Sequence, residues 1–171
     1  MTQIAREFVR DVYPILRCVV LIRDHDGEQT AKLHSDFCTR MANLARSGNN
    51  DPVVVHSDPA LVRIGELKLA QILFGDPGFG AHDEHAVEDH ILAFLKDQPT
   101  RDPAPLVAAV RRKLGSPVTP KQQVLLAMVR EQYWSSAAGF YERVVSAVPA
   151  ERLQALGESV GLGRVMDSVR E

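Results

Sequence analysis

Apolar side chains recur every three or four residues along most of this 171-residue chain, and glycine and proline cut the pattern into segments. That spacing is the 3.6-residue period of an amphipathic helix rather than the strict alternation of a strand. The clearest segment opens at Thr119-Pro120-Lys121-Gln122, a capping box with proline at the first helical position. Its stripe runs Leu125, Val129, Tyr133, Ala137, Phe140, Val144, with Ser135-Ser136 and Gly139 as its weak points.

The same reading predicts a helix from about 3 to 24, interrupted by Pro14 and apolar nearly all round after it, hence central and buried. A second helix, about 28 to 46, turns Leu33, Phe37, Met41 and Leu44 inward. A third is capped by Ser57 or Asp58, has Pro59 in its first turn, carries Leu61, Ile64, Leu67, Leu69 and Ile72, and stops at Gly75. Further helices follow over about 82–97, from Asp102-Pro103 to Gly115, and over about 150–160, with a last turn or two after Gly161-Leu162-Gly163. Val53-Val54-Val55 is β-branched but too isolated to found a sheet. The expected fold is therefore all-α: one compact, bundle-like domain over 1–171, about seven helices, with 149–171 as a small appendage in the other division.

Charge narrows the function classes. The formal net charge of −2 gives no general attraction to nucleic acid or to an anionic membrane. It is unevenly spread: residues 51–100 hold three Lys/Arg against nine Asp/Glu, and residues 101–171 hold ten against seven. An acidic middle and a basic C-terminal part suit a docking surface. Cys18 and Cys38 have no zinc or CxxC spacing and read as buried reduced thiols. The longest apolar run, Cys18 to Ile22, is too short to span a bilayer, and the N-terminus does not resemble a signal peptide, so a cytoplasmic protein is expected.

The densest chemistry is His82-Asp83-Glu84-His85-Ala86-Val87-Glu88-Asp89-His90. On a continuous helix His82, His85 and Asp89 fall within about 60° of one another, a usable metal-ligand spacing. Val87, Ile91, Phe94 and Leu95 form a stripe about 150° away, so the trio is expected to face water, without the dry cavity a catalytic metal needs. The plainer reading is an acidic first turn answering the helix dipole, with Glu88 and Asp89 on the outer face. The His82-Asp83 doublet resembles that of the metal-dependent HD phosphohydrolases, where it follows an apolar helix; here it follows Gly78-Phe79-Gly80-Ala81, and that function is not carried over.

The Gly75–Gly80 loop reads as a glycine-permitted turn, since Asp76, Asp83 and Glu84 would repel a phosphate. Phe79 between glycines, Glu84 and Glu88 on the acidic stretch, and Trp134 at the edge of an apolar stripe are the candidate partner contacts. Tyr133 reads as core, His34 as helix surface and His56 as loop. No catalytic triad can be assembled and no cofactor is implied. The expectation is a non-enzymatic helical interaction module (adaptor, chaperone, assembly factor or regulatory subunit) that binds another protein and self-associates through the apolar segment after Pro14. A metal-dependent hydrolase built on His82, His85 and Asp89 is the alternative. DNA binding through a helix-turn-helix-like segment within 119–170 is the third reading, disfavoured by the lack of a strongly basic face.

Overall fold

The computed structural model describes residues 17–25, 28–75 and 86–170, and it corrects the all-α, helical-bundle expectation. Four strands, β1 (Cys18–Asp24), β2 (Pro52–Ser57), β3 (Ala60–Ile64) and β4 (Leu67–Phe74), form one sheet in the order β1-β4-β3-β2. Seven helices accompany them among the described residues: α1 (Thr30–Ser47), α2 (Val87–Lys96), α3 (Ala104–Leu114), α4 (Pro120–Arg130), α5 (Ala137–Val145), α6 (Ala150–Ser159) and α7 (Leu162–Arg170). The chain divides into two compact units. One holds residues up to Arg23, Gln29–Leu73 and Gly157 onward; the other holds Asp24–Glu28 and Phe74–Leu156.

In the first unit, β2, β3 and β4 form an antiparallel meander. The β3–β4 turn is Gly65-Glu66, with Gly65 at φ +59°, a two-residue hairpin turn with glycine first. Arg17 O accepts from Lys68 N–H at the start of the strands, and Phe74 O accepts from His25 N–H at their far end, so β1 runs parallel to β4. Along β3, Ala60, Val62 and Ile64 pack with Phe37, Cys38, Met41 and Ala45 of α1, and Leu61 and Arg63 take the other face. The predicted third helix is thus a hairpin. Leu61, Ile64, Leu67 and Ile72 satisfy a helical spacing, but the β-branched alternation and the Gly-Glu turn prevail. The apolar run after Pro14 is edge strand β1 rather than a buried helix, and Val20, Leu21 and Ile22 are exposed.

Helix α1 ends in a Schellman motif, with Asn49 at φ +59° and Asn50 N–H donating to Ala45 O at 3.0 Å. Leu44 is exposed and Ala45 takes its inward place. His34 is buried instead of surface. Its Nδ1 lies 3.2 Å from Gln71 Oε1 and 3.3 Å from Ala60 N–H, and its Nε2 lies 3.6 Å from the Asp58 carboxylate. His56 lies in β2 rather than in a loop. At the C-terminal end, Gly161 has φ +76° and lies against Pro59, where a Cβ would come within 2.7 Å of the ring.

In the second unit, Ile91, Leu92, Phe94 and Leu95 of α2 pack with Val124, Ala127 and Met128 of α4 and with Phe140 and Val144 of α5. Thr119 caps α4 as the sequence indicates: its Oγ1 accepts from Gln122 N–H at 3.3 Å, and Gln122 Oε1 accepts from Thr119 N–H at 2.9 Å. The single long helix after it is two. A Schellman motif with Gln132 at φ +52° ends α4, and Ser136 caps α5. The helical phase resets at that break. Val124, Ala127 and Met128 therefore face the core, and Leu125 and Val129 face out.

Phe140 is fully buried at the centre of this cluster. Phe140→Ala is expected to destabilise the second unit by about 3–5 kcal/mol, and Thr119→Ala by about 1 kcal/mol. Urea unfolding followed by far-UV circular dichroism reads both.

Candidate functional site

The first place to look is the N-terminal end of α2, where the His/acid run lands. His82, His85, Phe79 and Glu84 lie outside the described residues. The backbone is extended at Ala86, φ −143°, and the described helix begins at Val87, so a helical wheel does not carry across from 85 to 89.

Glu88 and Asp89 do not solvate an outer face; both are buried. Asp89 Oδ2 accepts from Ala86 N–H at 3.2 Å, and Asp24 Oδ1 accepts from Val87 N–H at 3.0 Å. Two carboxylates thus take the first orphan donors of the helix, where its dipole favours negative charge. His90 Nε2 accepts from Gly75 N–H at 3.0 Å, and its ring meets Phe74 edge-on at 5.6 Å. Tyr141 of α5 donates its hydroxyl to Glu88 Oε1 at 2.9 Å, and Glu88 Oε2 is buried with no hydrogen-bond partner among the described residues. Among the described residues, no group of three His, Cys, Asp or Glu side chains is placed to hold a metal ion. This cluster closes a helix end.

Burial, the hydrogen bond to Glu88, and the charges of Glu88 and Asp24 hold the Tyr141 phenol well above the ordinary tyrosine value of 10.0. The folded state then keeps a proton that the unfolded chain releases, so the stabilisation is complete below pH 10.0 and is lost as pH rises beyond it. Titration of tyrosinate absorbance is expected to show Tyr141 ionising late, together with alkaline unfolding. Tyr141→Phe should remove that late step.

The second place is the surface of α3 and α4. Helix α3 is started by Asp102, whose Oδ1 accepts from Ala104 N–H at 3.0 Å, and ends at Gly115 in the left-handed region. Arg101 anchors the approach to it with a two-pronged bond to Glu131 at 2.5 and 2.9 Å, largely buried on both sides. Yet no residue of α3 is buried, although it carries Leu106, Val107, Val110 and Leu114. Between α3 and α4 lies an apolar groove of about 290 Å³, with Val110, Leu114, Val118, Leu125 and Leu126 in its walls. Leu114 is 68% exposed and Leu125 56%; Val129, one turn beyond Leu125, is exposed too. From Pro103 to Trp134 five Lys/Arg stand against one acid, Glu131, which Arg101 already engages.

Trp134, the single tryptophan, is 74% exposed beyond the end of α4. Tyr133 is half-buried and packs on Phe140 with ring centroids 5.6 Å apart. The arginines of the helix-turn-helix reading have other partners: Arg164 donates to Asp58 O at 2.7 Å, and Arg170 lies 4.0 Å from Asp167. The groove is absent from the sequence reading because Leu125 and Val129 are assigned inward there. The break at Gln132, which resets the phase, has no glycine to announce it.

No protein-family model, curated protein or solved structure matches the chain. No helix among the described residues is long and apolar enough to cross a membrane.

Proposed function

We propose that this protein is an interaction module that receives an acidic amphipathic helix of a partner protein in the groove between α3 and α4. One observation carries the reading. A capped, eleven-residue helix with four large apolar side chains has none of its residues buried. In a globular fold the apolar face of a helix supplies most of its stability through burial. Here Leu106, Val107 and Val110 are only half-buried and Leu114 is exposed, beside the exposed Leu125 and Val129 of the next helix.

Charge selects the partner's chemistry. Arg111, Arg112 and Lys113 close α3, Lys121 and Arg130 flank α4, and the one carboxylate in the segment is occupied. A docking helix with Leu, Ile or Phe at i, i+3/i+4 and i+7 fills the apolar walls; Asp and Glu along its rim meet the cations. The rim charges act mainly on encounter rate and salt dependence, the apolar anchors on residence time.

The test is a photo-crosslinking residue, p-benzoylphenylalanine, in place of Leu125 in the full chain, expressed in its own cells. The expected result is one dominant crosslinked protein, joined through an acidic amphipathic segment, with yield reduced at least tenfold by Arg111→Glu with Arg112→Glu. Crosslinking only to a second copy of the chain, or the same products from a probe at Arg40 of α1, would overturn the reading.

A further inference from the structure

The face of the sheet opposite α1 holds a second, independent feature. Its register sets Arg63 of β3 directly opposite Lys68 of β4 and, on the other side, Val53 of β2. Lys68 N–H donates in turn to Arg17 O at 2.9 Å, which brings Arg17 alongside. Arg17, Arg63 and Lys68, joined by Arg170 from α7, line an open cleft of about 670 Å³ walled by Val53 and Val55.

Like charges directly opposite each other across strands destabilise a sheet, because their Cβ atoms stand only about 5 Å apart. The local arrangement relieves little of this. Glu66, the one carboxylate among the described residues that line the cleft, pairs with Arg17 at 2.6 Å, and both side chains are highly exposed, so the pair is solvent-screened. The Lys68 ammonium donates to Ser168 O in the last turn of α7, where the helix dipole is negative. Arg63 makes no hydrogen bond or ion pair with a described residue. A guanidinium with no partner among the described residues thus stands beside a lysine in a cleft of small-ligand size.

From this geometry we infer that the cleft is a binding site for a small, multiply charged phosphate ester. The guanidinium fork of Arg63 fits phosphate oxygens in pairs, and Lys68 supplies further charge together with Arg17 and Arg170, whose exposed pairs with Glu66 and Asp167 are solvent-screened. Val53 and Val55 give the ester's carbon part an apolar wall. The described residues of the cleft's lining include no aromatic ring to serve as a stacking platform for a run of nucleic-acid bases.

Inorganic pyrophosphate is the probe, titrated calorimetrically into the full chain at 20 mM and 300 mM salt, with citrate as a carboxylate of similar charge. Expected are saturable one-to-one binding at low salt, at least tenfold weaker binding at high salt, and citrate at least tenfold weaker than pyrophosphate. Arg63→Gln should raise the pyrophosphate Kd at least tenfold without lowering Tm, since it also relieves the opposition to Lys68. Arg111→Gln, in the other unit, should change nothing. Absence of saturable binding, an Arg63→Gln variant that binds as the parent does, or equal affinity for citrate each overturns the inference. So does a Tm several degrees lower in Arg63→Gln, which would make Arg63 a structural brace.

Discussion

The two-residue period of β3 is the constraint on which the first unit depends. Successive residues of a strand point to opposite faces, and only one face of this sheet has α1 against it. Ala60, Val62 and Ile64 are small or branched and pack on Phe37, Met41 and Ala45. Once they are committed there, Arg63 has to stand on the opposite face, and the turn at Gly65-Glu66 fixes Lys68 as its cross-strand neighbour. A slip of one residue would exchange the two sets and bury a guanidinium against α1. The cation row is thus tied to the same register that builds the core.

His34 reinforces that register. A buried imidazole needs partners for both nitrogens. Ala60 N–H meets Nδ1, and the Asp58 carboxylate lies toward Nε2, so one side chain of α1 reads the β2–β3 turn at two points. The second unit uses the same device with carboxylates. Asp24 and Asp89 satisfy the first donors of α2, and Tyr141 reaches Glu88 from α5. Among the described titratable side chains, Asp24, Asp89 and His90 of the second unit and His34 of the first accept from backbone donors.

Helix ends and loops with explicit chemistry are legible in the sequence. Thr119-Pro120-Lys121-Gln122 opens α4, Gly115 closes α3, and α1 matches its predicted span to within a few residues. The sheet is misread where two periods coincide. Leu61, Ile64, Leu67 and Ile72 fit a helical stripe, and the alternation of Ala60, Val62 and Ile64 fits a strand; the Gly-Glu pair between Ile64 and Leu67 is the signal that separates them. The run Cys18 to Ile22 is likewise rich in β-branched residues, which favour an extended chain. The groove and the cleft are less accessible to sequence reasoning. One depends on a helix break at Gln132, and the other on residues brought together by strand register rather than by spacing.

The most direct test of this account is the strand register itself, read by nuclear Overhauser contacts in solution on the isotopically labelled full chain. Extended Cα shifts are expected over 60–64 and 67–74, with interstrand contacts joining Val62 to Leu69 and Arg63 to Lys68. Helical shifts running unbroken from 60 to 73, with contacts between residues three apart, would contradict it. They would also remove the juxtaposition of Arg63 and Lys68 and return the segment to the helix that its apolar spacing first suggests.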